Sequence, residues 1–155
     1  MRRFLGSLAL LALIASGTSA CGDDESDPIG GDTGPERPAH SSTVAILSAT
    51  AAGGKVSMSP TPLPDEQAAR RYSQQFRQPG LGRQIADVVA RTEVPDGQAL
   101  AAAVVSVGCD VPPSVTITET DDGVVVSADE VPSPMPECFA AVTSVALVLV
   151  DDYLV

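Results

Sequence analysis

Cysteine is the residue type with the clearest capacity for chemistry in this chain, which has 155 residues and three cysteines: Cys21, Cys109 and Cys138. Cys109 follows one predicted strand and Cys138 precedes another. Closing the loop of about 30 residues between them would stabilise the fold by about 3 to 4 kcal/mol in the chain-entropy model. A metal or redox pair is the alternative, but the spacing is not C-x-x-C and no histidine lies nearby. The pattern therefore predicts a structural disulfide between Cys109 and Cys138, and no metal site.

Other residue types offer little support for catalysis. His40 is the only histidine and precedes the predicted domain, which excludes a Ser-His-Asp or Cys-His arrangement inside that domain. The single lysine, Lys55, follows two glycines in a segment that is typical of an exposed turn. The sequence lacks the glycine motifs that bind phosphates and dinucleotides. We therefore predict no catalytic residue and no cofactor.

Two further features keep alternative functions open. Paired carboxylates can hydrolyse glycosides, but adjacent acids in turns are usually solvated. The adjacent acids of the domain fall in predicted turns or at strand ends: Asp121-Asp122, Asp129-Glu130 and Asp151-Asp152. Residues 57–64 and 131–136 form proline-rich loops that each carry a methionine. Stiff loops lose little entropy on docking, so a protease inhibitor is one alternative and a carboxylate-dependent hydrolase is the other.

The charge distribution argues against nucleic acid as a partner. The net charge is -11, there is no tryptophan, and residues 92–155 contain neither lysine nor arginine. Nucleic-acid sites need basic grooves with aromatic faces, which this composition lacks. The cations of the domain gather in a short stretch: Arg70, Arg71, Arg77, Arg83 and Arg91. We interpret them as a solvated helical face, and a cationic docking strip is the alternative interpretation.

The first 20 residues have the pattern of a cleavable export signal. Arg2 and Arg3 are followed by an apolar run over residues 4–15 and by small residues over 16–20. An apolar run of a dozen residues is too short to span a bilayer, which takes about 20. A positive start, a short apolar core and small residues at the end are typical of a secretory signal peptide, here residues 1–20.

Residues 18–21 resemble the lipobox of bacterial lipoproteins. The resemblance implies that Ala20 is the last residue removed and that the Cys21 thiol carries the lipid, so the protein would be anchored to the cell membrane or outer membrane and face the extracytoplasmic side. Thr18 departs from the Leu, Val or Ile that the family usually has at this place. An ordinary signal cut after Ala20, with a free Cys21, is therefore the alternative.

The mature chain divides into a linker and one domain. Residues 21–42 hold six acids, several Gly and Pro, and almost no large apolar residue, so they cannot bury enough surface to offset their ordering entropy. If flexible, a linker of this length spans about 25 Å, enough to lift a domain off a membrane surface. Residues 43–155 are long enough for a single domain.

Hydrophobic periodicity predicts the elements of that domain. We expect a strand over 43–50, a helix that begins near Pro64 and a second short helix around 81–89. Residues 98–107 and 139–150 are apolar on both alternating faces and predict strands covered on both sides, although 98–103 would also suit a buried helix. Asp122-Gly123 predicts a hairpin between strands at 115–119 and 124–128.

These elements predict an α+β fold, with a small antiparallel sheet of about five strands, one or two helices on one face and one disulfide. The last strand is too apolar for an edge, so it should lie between others. The second face needs a cover, and a loop layer or a homodimer would supply it. The leading hypothesis is a non-enzymatic lipoprotein that binds an envelope protein partner or acts structurally.

Overall fold

The computed structural model describes residues 41–155, and a four-stranded antiparallel sheet forms the middle of this domain. Its strands are β1 (Ser42–Thr50), β2 (Thr61–Pro62), β3 (Gln98–Gly108) and β6 (Val142–Asp151). Their order across the sheet is β1-β6-β3-β2. The last strand therefore lies between two others, as its apolar composition predicts.

Two helices pack on one face of this sheet. Helix α1 spans Glu66–Ser73 and α2 spans Pro79–Arg91. Asp65 caps α1, because its Oδ1 accepts a hydrogen bond of 2.7 Å from the Ala68 amide. Pro79 occupies the first turn of α2, where a missing N–H costs nothing and the fixed φ suits the helix.

A β-hairpin forms a second, two-stranded sheet. Strands β4 (Val115–Thr120) and β5 (Gly123–Ala128) pair through the turn at Asp121 and Asp122. Gly123 has a φ of +124°, which favours glycine at that position. A short 3₁₀ helix, Asp152–Leu154, follows β6 and packs its last residue toward the hairpin side.

The two faces of the central sheet carry separate hydrophobic cores because side chains alternate along each strand. The core on the helix side contains three residues of β3, Leu100, Ala102 and Val104, and two of β6, Val145 and Leu147. The core on the opposite side contains Ala101, Ala103, Val105, Ala146, Val148 and Val150, and the hairpin covers it with Val124 and Val126. The cover that the two doubly apolar strands require is thus a hairpin of the same chain.

The structure confirms the predicted α+β fold, with six antiparallel strands divided between two sheets. Residues 98–103 belong to β3, which confirms the predicted strand and excludes the alternative of a buried helix. Two details differ from the expectations: the last strand begins at Val142 and not at 139, and the predicted loop before α1 contains the edge strand β2. Pro62 is tolerated in β2 because an edge strand has one side without a partner.

Candidate functional site

The predicted disulfide is present. Cys109 and Cys138 are bonded, with their Cα atoms 5.3 Å apart and 29 residues between them in sequence. The bond ties the segment after β3 to the loop that precedes β6. Close by, the Met135 amide donates a 2.9 Å hydrogen bond to Asp110 Oδ2, so this loop is held at two points. The pair is therefore structural in its setting. Cys21 and His40 lie outside the described residues.

The proline-rich segment 57–64 does not project from the domain. The Ser57 amide donates to the Val104 carbonyl at 3.0 Å, and the Leu63 amide donates to the Leu100 carbonyl at 2.7 Å. On its other side, the Met58 carbonyl accepts from the Val126 amide at 2.8 Å. The segment thus joins the central sheet to the hairpin, and its backbone is not presented to a protease. The second loop, 131–136, is more open and exposes about half of Met135.

Two of the three predicted carboxylate pairs, Asp121-Asp122 and Asp129-Glu130, do not converge on a closed site. Asp121 and Asp122 line a wide depression at the hairpin turn together with Glu119, and all three side chains are exposed. Asp129 accepts hydrogen bonds from Ser114 Oγ at 2.5 Å and Thr116 Oγ1 at 2.7 Å, and these bonds lower the pKa of its carboxyl group. General-acid catalysis needs a carboxyl whose pKa is raised by burial or a neighbouring charge. This arrangement gives the hydrolase hypothesis no support.

A polar pocket of about 370 Å³ lies between α1 and the segment that crosses the edge of β3. Lys55, Ser57, Thr61 and Gln75 line it, with the ring of Tyr72. The Tyr72 hydroxyl is shut off from solvent and has no hydrogen-bond partner among residues 41–155. Burial raises the pKa of this phenol well above its usual range. The hydroxyl stays neutral, but it is not presented to a ligand in the pocket.

A shallow groove of about 460 Å³ lies between α1 and α2 and is lined by three of the five arginines of the described domain. We call it the arginine groove, and its members that matter below are Arg70, Arg77, Arg83, Phe76, Pro79 and Ala86. No carboxylate lines it in the part of the chain that the structure describes. Arg71 and Arg91 lie outside the groove.

The connection between the two helices brings these residues together. Arg70 lies in the last turn of α1, whereas Arg77 lies after the helix, in the connection to α2. Pro79 and Ala86 are seven positions apart on α2, which is about two helical turns. The two helices approach closely where a Cβ on Gly82 would lie 3.0 Å from the Ser73 Cβ.

The Gly53-Gly54 turn packs against two residues of the groove, Phe76 and Arg77. The Arg77 amide donates a 2.7 Å hydrogen bond to the Ala52 carbonyl, which fixes the backbone of that arginine. A Cβ on Gly54 would lie 2.8 Å from Phe76 Cε1, so only glycine lets the turn pass under this ring. The Phe76 ring also packs edge-to-face on Tyr72, with centroids 5.8 Å apart. The groove therefore rests on residues with defined positions.

The sequence analysis interpreted all five arginines as one solvated helical face. It did not distinguish the three that line the groove from Arg71 and Arg91. Local spacing could not reveal the groove, because it depends on the bend that carries Arg77 after α1 and on the approach of α2, which brings Arg83 to the same place. Among residues 41–155 no group of three or more potential ligand side chains could hold a metal ion.

Neither described helix combines the length and apolarity needed to cross a bilayer. Comparisons with protein-family models, with curated proteins and with solved structures find no match.

Proposed function

We propose that the mature protein is a lipoprotein, anchored through Cys21 to the cell membrane or outer membrane, whose domain faces the extracytoplasmic side and acts by binding. The observation that carries the proposal is the Cys109–Cys138 disulfide, since such bonds persist in oxidising compartments and are rare in the cytosol. It agrees with an export signal at residues 1–20. A diacylglyceryl group together with a further acyl chain gives stable anchoring, whereas a single chain gives only marginal binding.

Binding, not catalysis, is favoured by the chemistry of the two concave features beside α1. The pocket at Lys55 presents hydroxyl and amide groups, and the arginine groove presents guanidinium groups together with apolar side chains. Guanidinium and hydroxyl groups hold ligands through hydrogen bonds. Arg has too high a pKa to exchange protons in a general acid–base step.

Metabolic labelling tests the anchor. Wild type and Cys21→Ala are expressed in a bacterial host that is fed an alkyne analogue of palmitate, and the attached probe is detected in the purified protein. We expect label on wild type and none on Cys21→Ala. The matched control is the Cys109→Ala/Cys138→Ala double variant, which loses two cysteines but keeps Cys21 and should retain the label. Equal labelling of wild type and Cys21→Ala would exclude lipidation at this residue.

Protease inhibition is the second candidate, and it rests on loop 131–136. The loop is held by Cys138 and by the hydrogen bond to Asp110, and it exposes Met135. Incubation of the mature chain with proteases that cleave after methionine separates the two functions. An inhibitor would give a saturable loss of protease activity that Met135→Ala abolishes, whereas a simple binding module would leave the activity unchanged.

A further inference from the structure

The arginine groove is the one place in the described domain where positive charge accumulates without a structural need for it. Residues 41–155 hold fourteen acids against six cations, and the residues after Thr92 hold no cation at all. Three of those six cations nevertheless border one groove that no carboxylate lines. Clustering of like charges costs free energy unless an anion neutralises them.

The arginines of the groove are only partly used by the fold. Arg70 pairs with Glu66 at 3.1 Å, but both side chains are mostly exposed, and such a pair contributes little. Arg77 and Arg83 form no ion pair with any residue in the described range 41–155. Their placement is therefore not explained by stability.

Part of the groove lining is apolar, and we call this part its floor. It consists of the Phe76 ring, the Pro79 ring and the Ala86 methyl group. A volume of about 460 Å³ falls within the range of small-molecule sites, which are mostly apolar with a few polar groups that fix orientation. Arg forms bidentate hydrogen bonds with carboxylate and phosphate oxygens, and these bonds are stronger than those between neutral groups.

We propose that the arginine groove binds a small amphiphilic anion, in which a carboxylate or phosphate group is joined to an apolar group. Arg77 and Arg83 hold the anionic group, and the floor formed by Phe76, Pro79 and Ala86 contacts the apolar group. The inference deepens the proposed binding function by naming the class of ligand. Its test uses purified protein without lipid, so a failure here is distinct from a failure of the anchor.

The test is a titration of the isotopically labelled mature chain, residues 21–155 with Cys21→Ser, followed by NMR. Three probes share one apolar group and differ in charge: 4-phenylbutyrate, 4-phenylbutanol and 4-phenylbutylamine. We expect saturable shifts at Phe76 and Gly82 with the carboxylate, with a Kd on the order of 1 mM or tighter. The alcohol should bind about tenfold more weakly, because charge-assisted hydrogen bonds are roughly twice as strong as neutral ones. The amine should not bind.

Matched arginine variants decide whether the groove or the overall charge is responsible. Arg77→Gln and Arg83→Gln should each weaken 4-phenylbutyrate binding about tenfold, the effect of losing one hydrogen bond to a charged group. Arg71→Gln and Arg91→Gln change the net charge equally but lie outside the groove, and they should leave the Kd within about twofold. Equal weakening by all four variants, or shifts confined to the pocket at Lys55, would overturn the assignment.

A vesicle arm distinguishes a soluble ligand from a membrane surface. The same protein is sedimented with phosphatidylglycerol vesicles and with phosphatidylcholine vesicles. We expect no co-sedimentation with either, because the domain carries a net negative charge that opposes docking on an anionic surface. Retention on phosphatidylglycerol vesicles, lost in Arg77→Gln and without any binding of 4-phenylbutyrate, would replace the small ligand by a lipid headgroup.

Discussion

Replacing Tyr72 by Phe should make this domain more stable, which is unusual for a substitution in a well-packed site. The Tyr72 hydroxyl is buried without a hydrogen-bond partner among residues 41–155, and a buried unsatisfied polar group costs about 1–3 kcal/mol. Phe keeps the ring and its edge-to-face contact with Phe76. Removing one oxygen should therefore raise the free energy of unfolding by about 1 kcal/mol and the Tm by about 4 °C for a domain of this size.

The gain should grow in alkaline solution. Burial raises the pKa of the Tyr72 phenol in the folded state, so the unfolded chain loses this proton at a lower pH than the folded chain does. The proton on Tyr72 therefore adds no pH dependence below the unfolded pKa of about 10, and above it the free energy of unfolding falls with a slope of at most about 1.4 kcal/mol per pH unit. Tyr72→Phe lacks this slope.

Urea unfolding at pH 7 and at pH 10.5 measures both effects. Tyr153 provides the matched control, because it is the other tyrosine of the chain and its side chain is 66% exposed, so Tyr153→Phe should leave the stability unchanged at pH 7. A loss of stability in Tyr72→Phe at pH 7 would refute the reasoning. It would mean that the hydroxyl has a partner in solution whose hydrogen bond outweighs the cost of its burial.

Three further predictions concern the elements that shape the domain. Cys109→Ser/Cys138→Ser should lose about 3–4 kcal/mol in urea unfolding, and equal stability of wild type and variant under oxidising conditions would show that the bond adds nothing. Asp65→Ala should cost about 1 kcal/mol through loss of the α1 cap, and Asp65→Asn, which keeps an acceptor, should recover most of it. Gly80→Ala should be more stable than Gly82→Ala by about 1 kcal/mol, because only a Cβ at Gly82 presses on the facing helix; the reverse order would contradict the close approach of α1 and α2.

Local chemistry made most of the elements predictable. Asp122-Gly123 marks the hairpin, Asp65 marks the start of α1, and the two doubly apolar strands are adjacent in the middle of the sheet. Each of these predictions depends only on residues that are close in sequence, or on the pattern of apolar residues within a single strand. The disulfide was predictable from the same information, because Cys109 directly follows β3 and Cys138 lies in the loop shortly before β6.

Packing between distant elements could not be predicted in this way. Clean alternation in β4 indicates that one face is buried, but it does not say against which surface. A loop layer or a homodimer was therefore as acceptable as the hairpin, which actually covers β3 and β6. The sequence predicted residues 57–63 as a free proline-rich loop. The prediction missed their hydrogen bonds because the partners, Leu100, Val104 and Val126, are far away in sequence.

The positive charges of the arginines are confined to the helix layer of the domain. All five arginines of the domain lie between residues 70 and 91, in and between the two helices, whereas the charged residues of the hairpin and of the strand after it are all acids. At physiological ionic strength a charge is screened beyond about 8 Å, so the acids across the sheet weaken the local field of the guanidinium groups only slightly. A small anion that reaches the groove therefore responds to Arg77 and Arg83 and not to the net charge. An acidic protein can in this way hold an anionic ligand by contact while it gains no long-range attraction for anionic surfaces.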